Sequence, residues 1–386
     1  MILNSLKVQN YKLLKDFEVK KLGRVNLIVG KNNSGKSTVL ECLRILASQG
    51  NPSVINQILE THDDQIMIQT RGGFEEDPIL IYEGLFTDRN FPEDGTPIYI
   101  GSISKDIYVE INRIFYEETE EETTDEKGNI VTTRNRKIYE KTELEDPSEF
   151  EQLIRVLTNQ NPERPILLNY SDSPYTRRRA ISSPDSIKPT PISYIPTQFL
   201  SMDLLASLWD KAVLTLYFEN VRNFLKIISD DFEDVAFIKV NNPRRRSPEI
   251  ERTGIVKLKN LNRPIPLNGM GDGVLRILQL VLGIFPATNG FLLIDEFENG
   301  LHFSVQEQVW KLIFKLASKL NIQVFATTHS WDCVEAFSIA ANQSSDEAVL
   351  FRIGKSVLPH EIGKTIAVIF DKDSLENLTQ SDVELR

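Results

Sequence analysis

Apolar positions in the first thirty residues fall into three short runs. Residues 3–8, residues 17–20 with Phe17 and Val19 alternating, and the run 25–29 read as strands; the third is of the type buried on both faces and ends at Gly30. Beyond a glycine-containing loop, residues 37–48 carry Val39, Leu40, Leu43, Ile45 and Leu46 at the spacing of a buried helix. From about Gly50 to Pro191 the pattern changes to short β-like runs parted by polar turns, with an acidic stretch at 117–126 and a Lys127-Gly128-Asn129 turn before 130–133. This texture predicts an insertion. Residues 199–231 are apolar at helical spacing through Leu205, Leu208, Leu216 and Leu225, which predicts one or two amphipathic helices. Strands are expected at 235–240 and 254–258, and a helix over about 273–285. Two buried strands, 291–294 and 323–327, then flank a helix at 304–320, and 348–353 and 365–370 look like edge strands. Strand, loop and helix alternate at both ends of the chain, so the expected class is α/β with a central mixed sheet flanked by helices. The divisions are a core from 1–50 and 232–386, an inserted β-rich region 51–191 and a helical lobe 192–231. No internal repeat or sustained heptad run is present.

Composition narrows this picture modestly. With 386 residues, 41% hydrophobic and 26% charged, the chain can bury a sizeable core. Its two cysteines, Cys42 and Cys333, lie far apart without metal-ligand spacing, so neither a disulfide framework nor a zinc site is indicated and a reducing cytoplasm is the expected setting. The start lacks the pattern of a secretory signal, and no window approaches the about 20 apolar residues of a membrane span. No membrane partner is expected. A net charge of −11 speaks against the overall basic surface of a sequence-independent DNA binder. Arg177-Arg178-Arg179 and Arg244-Arg245-Arg246 keep DNA as a candidate partner through local patches, although such triplets more often sit in solvated loops.

The strongest chemical signal is Gly30-Lys31-Asn32-Asn33-Ser34-Gly35-Lys36-Ser37, which matches G-x-x-x-x-G-K-[ST] between an expected strand and an expected helix. Its glycines let the backbone wrap a phosphate with N–H groups pointing inward, and the helix adds its positive end. Lys36 is expected to reach the β- and γ-phosphates of ATP and Ser37 to bind Mg2+, with Thr38 completing the loop. The apolar run 291–294 ends in Asp295-Glu296. At the C-terminal edge of a parallel strand these carboxylates suit a Mg2+ ligand, Asp295, and a base for the attacking water, Glu296. His329 ends the next buried strand, where a neutral imidazole could hydrogen-bond the γ-phosphate. Asn268-Gly269-Met270-Gly271-Asp272-Gly273 precedes another helix, and its glycines Gly269, Gly271 and Gly273 form a second backbone able to approach phosphate. Two half-sites in one chain suggest a dimer with ATP buried between copies.

This set of motifs resembles the ABC-type ATPase superfamily, and within it the OLD-like AAA-ATPases that include ATPase subunits of bacterial anti-phage systems. The marks are Asn10-Tyr11-Lys12, the GKNNSGKST loop, GMGDG followed by Arg276, and Asp295-Glu296-Phe297-Glu298-Asn299-Gly300-Leu301-His302. The resemblance implies a P-loop NTPase of ABC type: a two-lobed head pairing around two ATP molecules. In it 269–273 is the signature meeting the partner's γ-phosphate, 299–302 the D-loop, His329 the switch histidine, and Gln198 a Q-loop ligand of Mg2+. Three departures are visible. Gly269 stands where a serine is common, Phe303 stands where proline often follows the histidine, and the stretch after His329 is too short for the Toprim nuclease of OLD enzymes.

The expected function is Mg-dependent ATP hydrolysis in a homodimer or higher homo-oligomer that serves as sensor or scaffold for a separate effector, such as a nuclease, in antiviral defence. The alternatives are a RecF-like DNA-binding repair ATPase and a nucleotide switch with negligible turnover.

Overall fold

The computed structural model describes residues 2–66, 79–124, 130–160, 165–170, 180–182, 188–215, 231–240, 251–359, 361–371 and 374–375. Both arginine triplets, the 127–129 turn and the second half of the helical region expected at 199–231 lie outside the described residues.

Strands β1 (Leu6–Tyr11) and β2 (Leu14–Val19) form an antiparallel hairpin with Leu6 opposite Val19. The first strand therefore sits three residues later than its apolar run suggests. β3 (Val25–Val29) is buried at every position and leads into the loop that opens α1 (Lys36–Ala47). Helix α2 (Pro52–Thr61) stands where the sequence pattern predicts only short β-like runs. Its start is fixed by Asn51, whose side chain accepts from the Ser53 N–H at 2.9 Å, and by Pro52 in the first turn. Ile55, Ile58 and Leu59 give it a buried face.

After the short pair β4 (Gln65–Ile66) and β5 (Ile79–Leu80) come β6 (Ile98–Gly101), β7 (Tyr108–Thr124), β8 (Ile130–Tyr139), β9 (Glu151–Thr158), β10 (Ile166–Tyr170) and β11 (Ala180–Ser182). They join the N-terminal hairpin in one antiparallel sheet ordered β11-β10-β9-β7-β6-β1-β2, with β8 on β7. The join is β6 against β1, Val8 opposite Ile100. Much of the acidic stretch belongs to β7, where Glu118 receives the Arg136 Nε–H at 2.6 Å across the β7–β8 pair.

The second large sheet holds β3, β12 (Ile192–Ile195), β16 (Phe291–Ile294), β17 (Gln323–Thr328), β18 (Ala348–Lys355) and β19 (Thr365–Phe370), in the order β12-β16-β17-β3-β18-β19. All neighbours run parallel except β19, so the C-terminal ends of β3, β16 and β17 share one edge. Residues 348–353 are thus an interior strand, and of the two expected edge strands β19 alone is one, with β12 at the opposite edge; four apolar residues in a row already fit a strand covered on both faces.

Alternation along these strands divides the core. Leu292, Ile294, Val324 and Ala326 face one cluster; Phe291, Leu293 and Phe325 face the other. The first cluster takes in α3 (Met202–Val213), α4 (Asp272–Gly283), α5 (Phe303–Lys319) and α6 (Trp331–Asn342), and the second takes in α1, α2 and the antiparallel sheet. The small sheet β13 (Phe232–Val240), β14 (Glu251–Leu258) and β15 (Ile265–Pro266) packs beside α3, with the Trp209 and Phe237 rings 5.9 Å apart. No helix among the described residues is long and apolar enough to cross a membrane.

Candidate functional site

The loop from Gly30 to Ser37 leaves the sheet at the end of β3 and turns into α1. Gly30 has φ 153°, and a Cβ there would lie 2.5 Å from the Ile353 carbonyl oxygen and 2.8 Å from Ser34 Oγ. Gly35 caps α1 in the left-handed region at φ 105°, so both glycines are required by the path of the backbone. Asn33 is also left-handed, at φ 58°. Ser34 Oγ is buried with no partner among the described residues. Lys36 folds back over the loop and donates to the carbonyls of Gly30 at 2.8 Å and Lys31 at 3.0 Å. Burial holds its ammonium below the ordinary lysine value, opposed by the charges of Asp295, Glu296 and Glu298.

The parallel edge brings the remaining groups alongside. Ser37 Oγ lies 3.2 and 3.3 Å from the two Asp295 oxygens. Thr327, at the end of β17, donates to Asp295 Oδ1 at 2.7 Å and accepts from the Glu296 N–H at 2.8 Å. Glu296 stands at φ 46°, a left-handed conformation that costs a non-glycine residue about 1–2 kcal/mol. The surroundings hold it there. Arg276 of α4, fully buried, donates to the carbonyls of Asp295 and Glu296 at 2.7 Å each and to that of Pro196 at 2.6 Å. Burial lowers its pKa to about 10 against the pull of Asp295, Glu298 and Glu296. His329 Nδ1 is 3.3 Å from Lys36 Nζ, and its Nε2 is 3.8 Å from Glu296 Oε1. An ammonium can only donate, so Nδ1 accepts and the neutral ring carries its proton on Nε2, toward Glu296.

Asp295, Glu296 and His329 line one cleft of about 730 Å³ with residues 32–38. Its far half is built from Lys12, Glu41, His62, Asp64 and Arg89. Glu41 binds Lys12 at 2.8 Å and His62 at 2.5 Å, and Arg89 pairs with Asp64. The donor set fits a magnesium ion. Neighbouring oxygens of an octahedral Mg2+ lie about 3 Å apart, close to the spacing of Ser37 and Asp295, and a glycine loop that opens a helix suits polyphosphate.

The profile of the AAA ATPase domain family matches residues 1–334. The chain belongs to this family. It is an ATPase with an α/β P-loop NTPase fold. An ATP/GTP phosphatase of Helicobacter pylori is 23% identical over 352 residues, spanning 86% of this chain and 87% of that protein. Among solved structures, an Smc head bound to the C-terminal winged-helix domain of ScpA aligns at TM-score 0.47 and 12% identity, covering 98% of this chain and 100% of that one. The SMC head domain from Thermotoga maritima aligns at TM-score 0.42 and 12% identity, covering 95% and 98%.

In this ATPase the cleft brings together Asn32, Asn33, Ser34, Gly35, Lys36, Ser37, Thr38, Asp295, Glu296 and His329, while Gly30 lines the neighbouring pocket. Gln198 stands apart. It is exposed on the turn after β12, does not line the cleft, and is engaged through its carbonyl, which accepts from Gln279 at 3.1 Å. Gly269, Gly271 and Gly273 lie at the start of α4, outside the cleft lining. A Cβ at Gly269 or Gly271 would meet nothing within 4 Å. Sequence reasoning missed the work of Glu298. Its two oxygens accept from the Thr328 hydroxyl and the His329 N–H, both at 2.7 Å, fixing the backbone that carries the imidazole. The only signal was a further carboxylate in the Asp-Glu-Phe-Glu run. In the far half of the cleft only Lys12, within Asn10-Tyr11-Lys12, had a signal, and that without a role; Glu41, His62, Asp64 and Arg89 are scattered along the chain.

Proposed function

We propose that this ATPase hydrolyses Mg-ATP between two copies of itself, and that the closed pair acts as sensor or scaffold for a separate effector, a nuclease in antiviral defence. One observation carries the two-copy reading: the cleft has the loop, the carboxylates and the histidine, while a second phosphate-approaching glycine segment stands outside it with open space around Gly269 and Gly271. Among the described residues nothing would exclude a side chain at Gly269 or Gly271 by packing, although the positive φ of Gly271 itself favours glycine. Facing the cleft of a second copy, its N–H groups and the positive end of α4 would complete the shell around a γ-phosphate.

In this reading Lys36 binds the β- and γ-phosphates, and Ser37 and Asp295 hold Mg2+. The metal, when bound, neutralises charge on the transferred phosphoryl oxygens. Glu296, held by Thr327 and Arg276, orients a water and takes its proton. His329 donates from Nε2 to the γ-phosphate or its developing product. The effector part rests on the family resemblance alone.

The test is the solution mass of Glu296→Gln with Mg-ATP and without nucleotide. Doubling with nucleotide only is expected; a monomer under both conditions would sink the sandwich. The Helicobacter relative's name pairs ATP with GTP, so Mg-GTP belongs in the same series. Co-purification of an accompanying nuclease with the trapped pair tests the effector role, and its absence in a cell that carries both proteins counts against it.

A further inference from the structure

Phe303 opens helix α5 just after the 299–302 turn and is 63% exposed, far more than expected for an aromatic ring with a purely structural role. The His302 ring lies beside it, tilted by 36° with the centroids 4.3 Å apart, and His302 Nδ1 is tied to Ser304 Oγ at 2.8 Å. The ring is therefore displayed in a fixed direction at little further entropic cost.

Its position matters more than its exposure. Gly300 lies against the glycine segment: a Cβ on Gly273 would sit 3.2 Å from the Gly300 carbonyl oxygen. Phe303 follows Gly300 by three residues, so chain geometry keeps its Cα within about 11 Å of the Gly300 that abuts Gly273. Whatever surface meets Gly269–Gly273 comes within reach of this ring.

A second pocket, of about 380 Å³, opens between the end of β3 and the start of α6, lined by Val29, Gly30, Asn32, His329, Trp331 and Val334 among others. It borders the phosphate loop without including Lys12 or Glu41 in its lining, has Trp331 and Val334 as apolar walls, and is large enough for a phenyl ring. The loop that would receive a partner's glycine segment thus carries an apolar socket, and the glycine segment carries a displayed aromatic ring beside it.

We propose that, in the two-copy assembly, Phe303 of each copy enters the Val29–Trp331–Val334 pocket of the other. The inference rests on the sandwich reading above and adds its apolar anchor. The contact is isologous, so it is made twice about the two-fold axis. It also places a partner side chain directly against His329, linking closure of the pair to the group beside the γ-phosphate.

The experiment uses the full chain in the Glu296→Gln background with Mg-ATP. Phe303→Ala is expected to weaken the pair about tenfold for each ring lost, about a hundredfold in all, and Phe303→Leu to recover most of it. Because Phe303 is exposed, the fold is expected to survive both changes. A mixture of a Phe303→Cys chain and a Ser330→Cys chain, treated with a short bis-maleimide, is expected to give an ATP-dependent cross-link between chains. A pair that forms with undiminished affinity in Phe303→Ala and yields no cross-link overturns the pocket assignment while leaving the sandwich standing. Failure of Glu296→Gln alone to double in mass overturns both.

Discussion

The loop at 30–37 and the segment at 269–273 are both glycine-rich turns that open a helix, yet their surroundings are opposite. Around the first, each glycine is required by a close approach or a left-handed backbone, the lysine is engaged, and the carboxylates are set by Thr327 and Arg276. Around the second, Gly271 is left-handed at φ 86° but meets nothing, and no side chain caps the helix. The first turn is shaped from within the chain. The second is less enclosed: nothing among the described residues lies where a side chain on Gly269 or Gly271 would go, while the positive φ of Gly271 and the Gly300 carbonyl beside Gly273 are local reasons for those two glycines. Arg276 links them: it belongs to the helix opened by the second turn and grips the backbone of the acids facing the first.

The sharpest way to break this contrast is to remove chemistry from the complete half. Glu296→Gln is expected to lower kcat about a thousandfold while nucleotide affinity, measured by equilibrium binding, changes only a few-fold. A loss of affinity as large as the loss of turnover would mean that the carboxylate serves binding and not water activation.

The next effect probes the open half. Gly271→Ala places a Cβ in open space on a left-handed residue, at a local cost of about 1–2 kcal/mol. Hydrolysis is expected to fall about ten- to a hundredfold at fixed protein concentration, with nucleotide binding to the single chain retained. Unchanged hydrolysis would identify the segment as an ordinary loop and remove the contrast.

These expectations divide as the sequence reading did. The loop, Asp295, Glu296 and His329 were legible because each ends a buried strand, and parallel strands bring their C-terminal ends to one edge. Helix α2 was not, because its apolar residues are few and its Asn51-Pro52 start signal was outweighed by the β-like texture around it. Gln198 was placed by resemblance, and the turn after β12 leaves it exposed. Glu298 was quoted without a role because its partners are a backbone N–H and a hydroxyl on another strand, which no local pattern encodes.

A smaller effect follows from Lys36. Burial disfavours its charged form, so its proton is lost at a lower pH than an ordinary lysine gives up. Nucleotide affinity is therefore expected to fall on the alkaline side before free lysine would titrate. Binding isotherms against pH for the native chain and Lys36→Arg are expected to differ, the arginine variant binding more weakly but without this limb. A shared limb would assign the titration to another group.

Glu298→Ala is expected to be the mildest of the series in turnover and the most informative about positioning. It leaves the Thr328 hydroxyl and the His329 N–H without their acceptor next to a nearly fully buried residue, which costs about 1–3 kcal/mol of stability. The strand end can then relax, and His329 loses the fixed approach that puts Nδ1 near Lys36 and Nε2 toward Glu296. kcat should fall about tenfold with KM little changed, because Glu298 itself does not line the cleft. Glu298→Gln keeps a carbonyl for the His329 N–H, while the Thr328 hydroxyl can turn to accept from the amide, so it should recover most of the rate. If Gln and Ala lose turnover equally, the negative charge beside Lys36 and Arg276 is what matters, and the hydrogen-bond geometry is secondary.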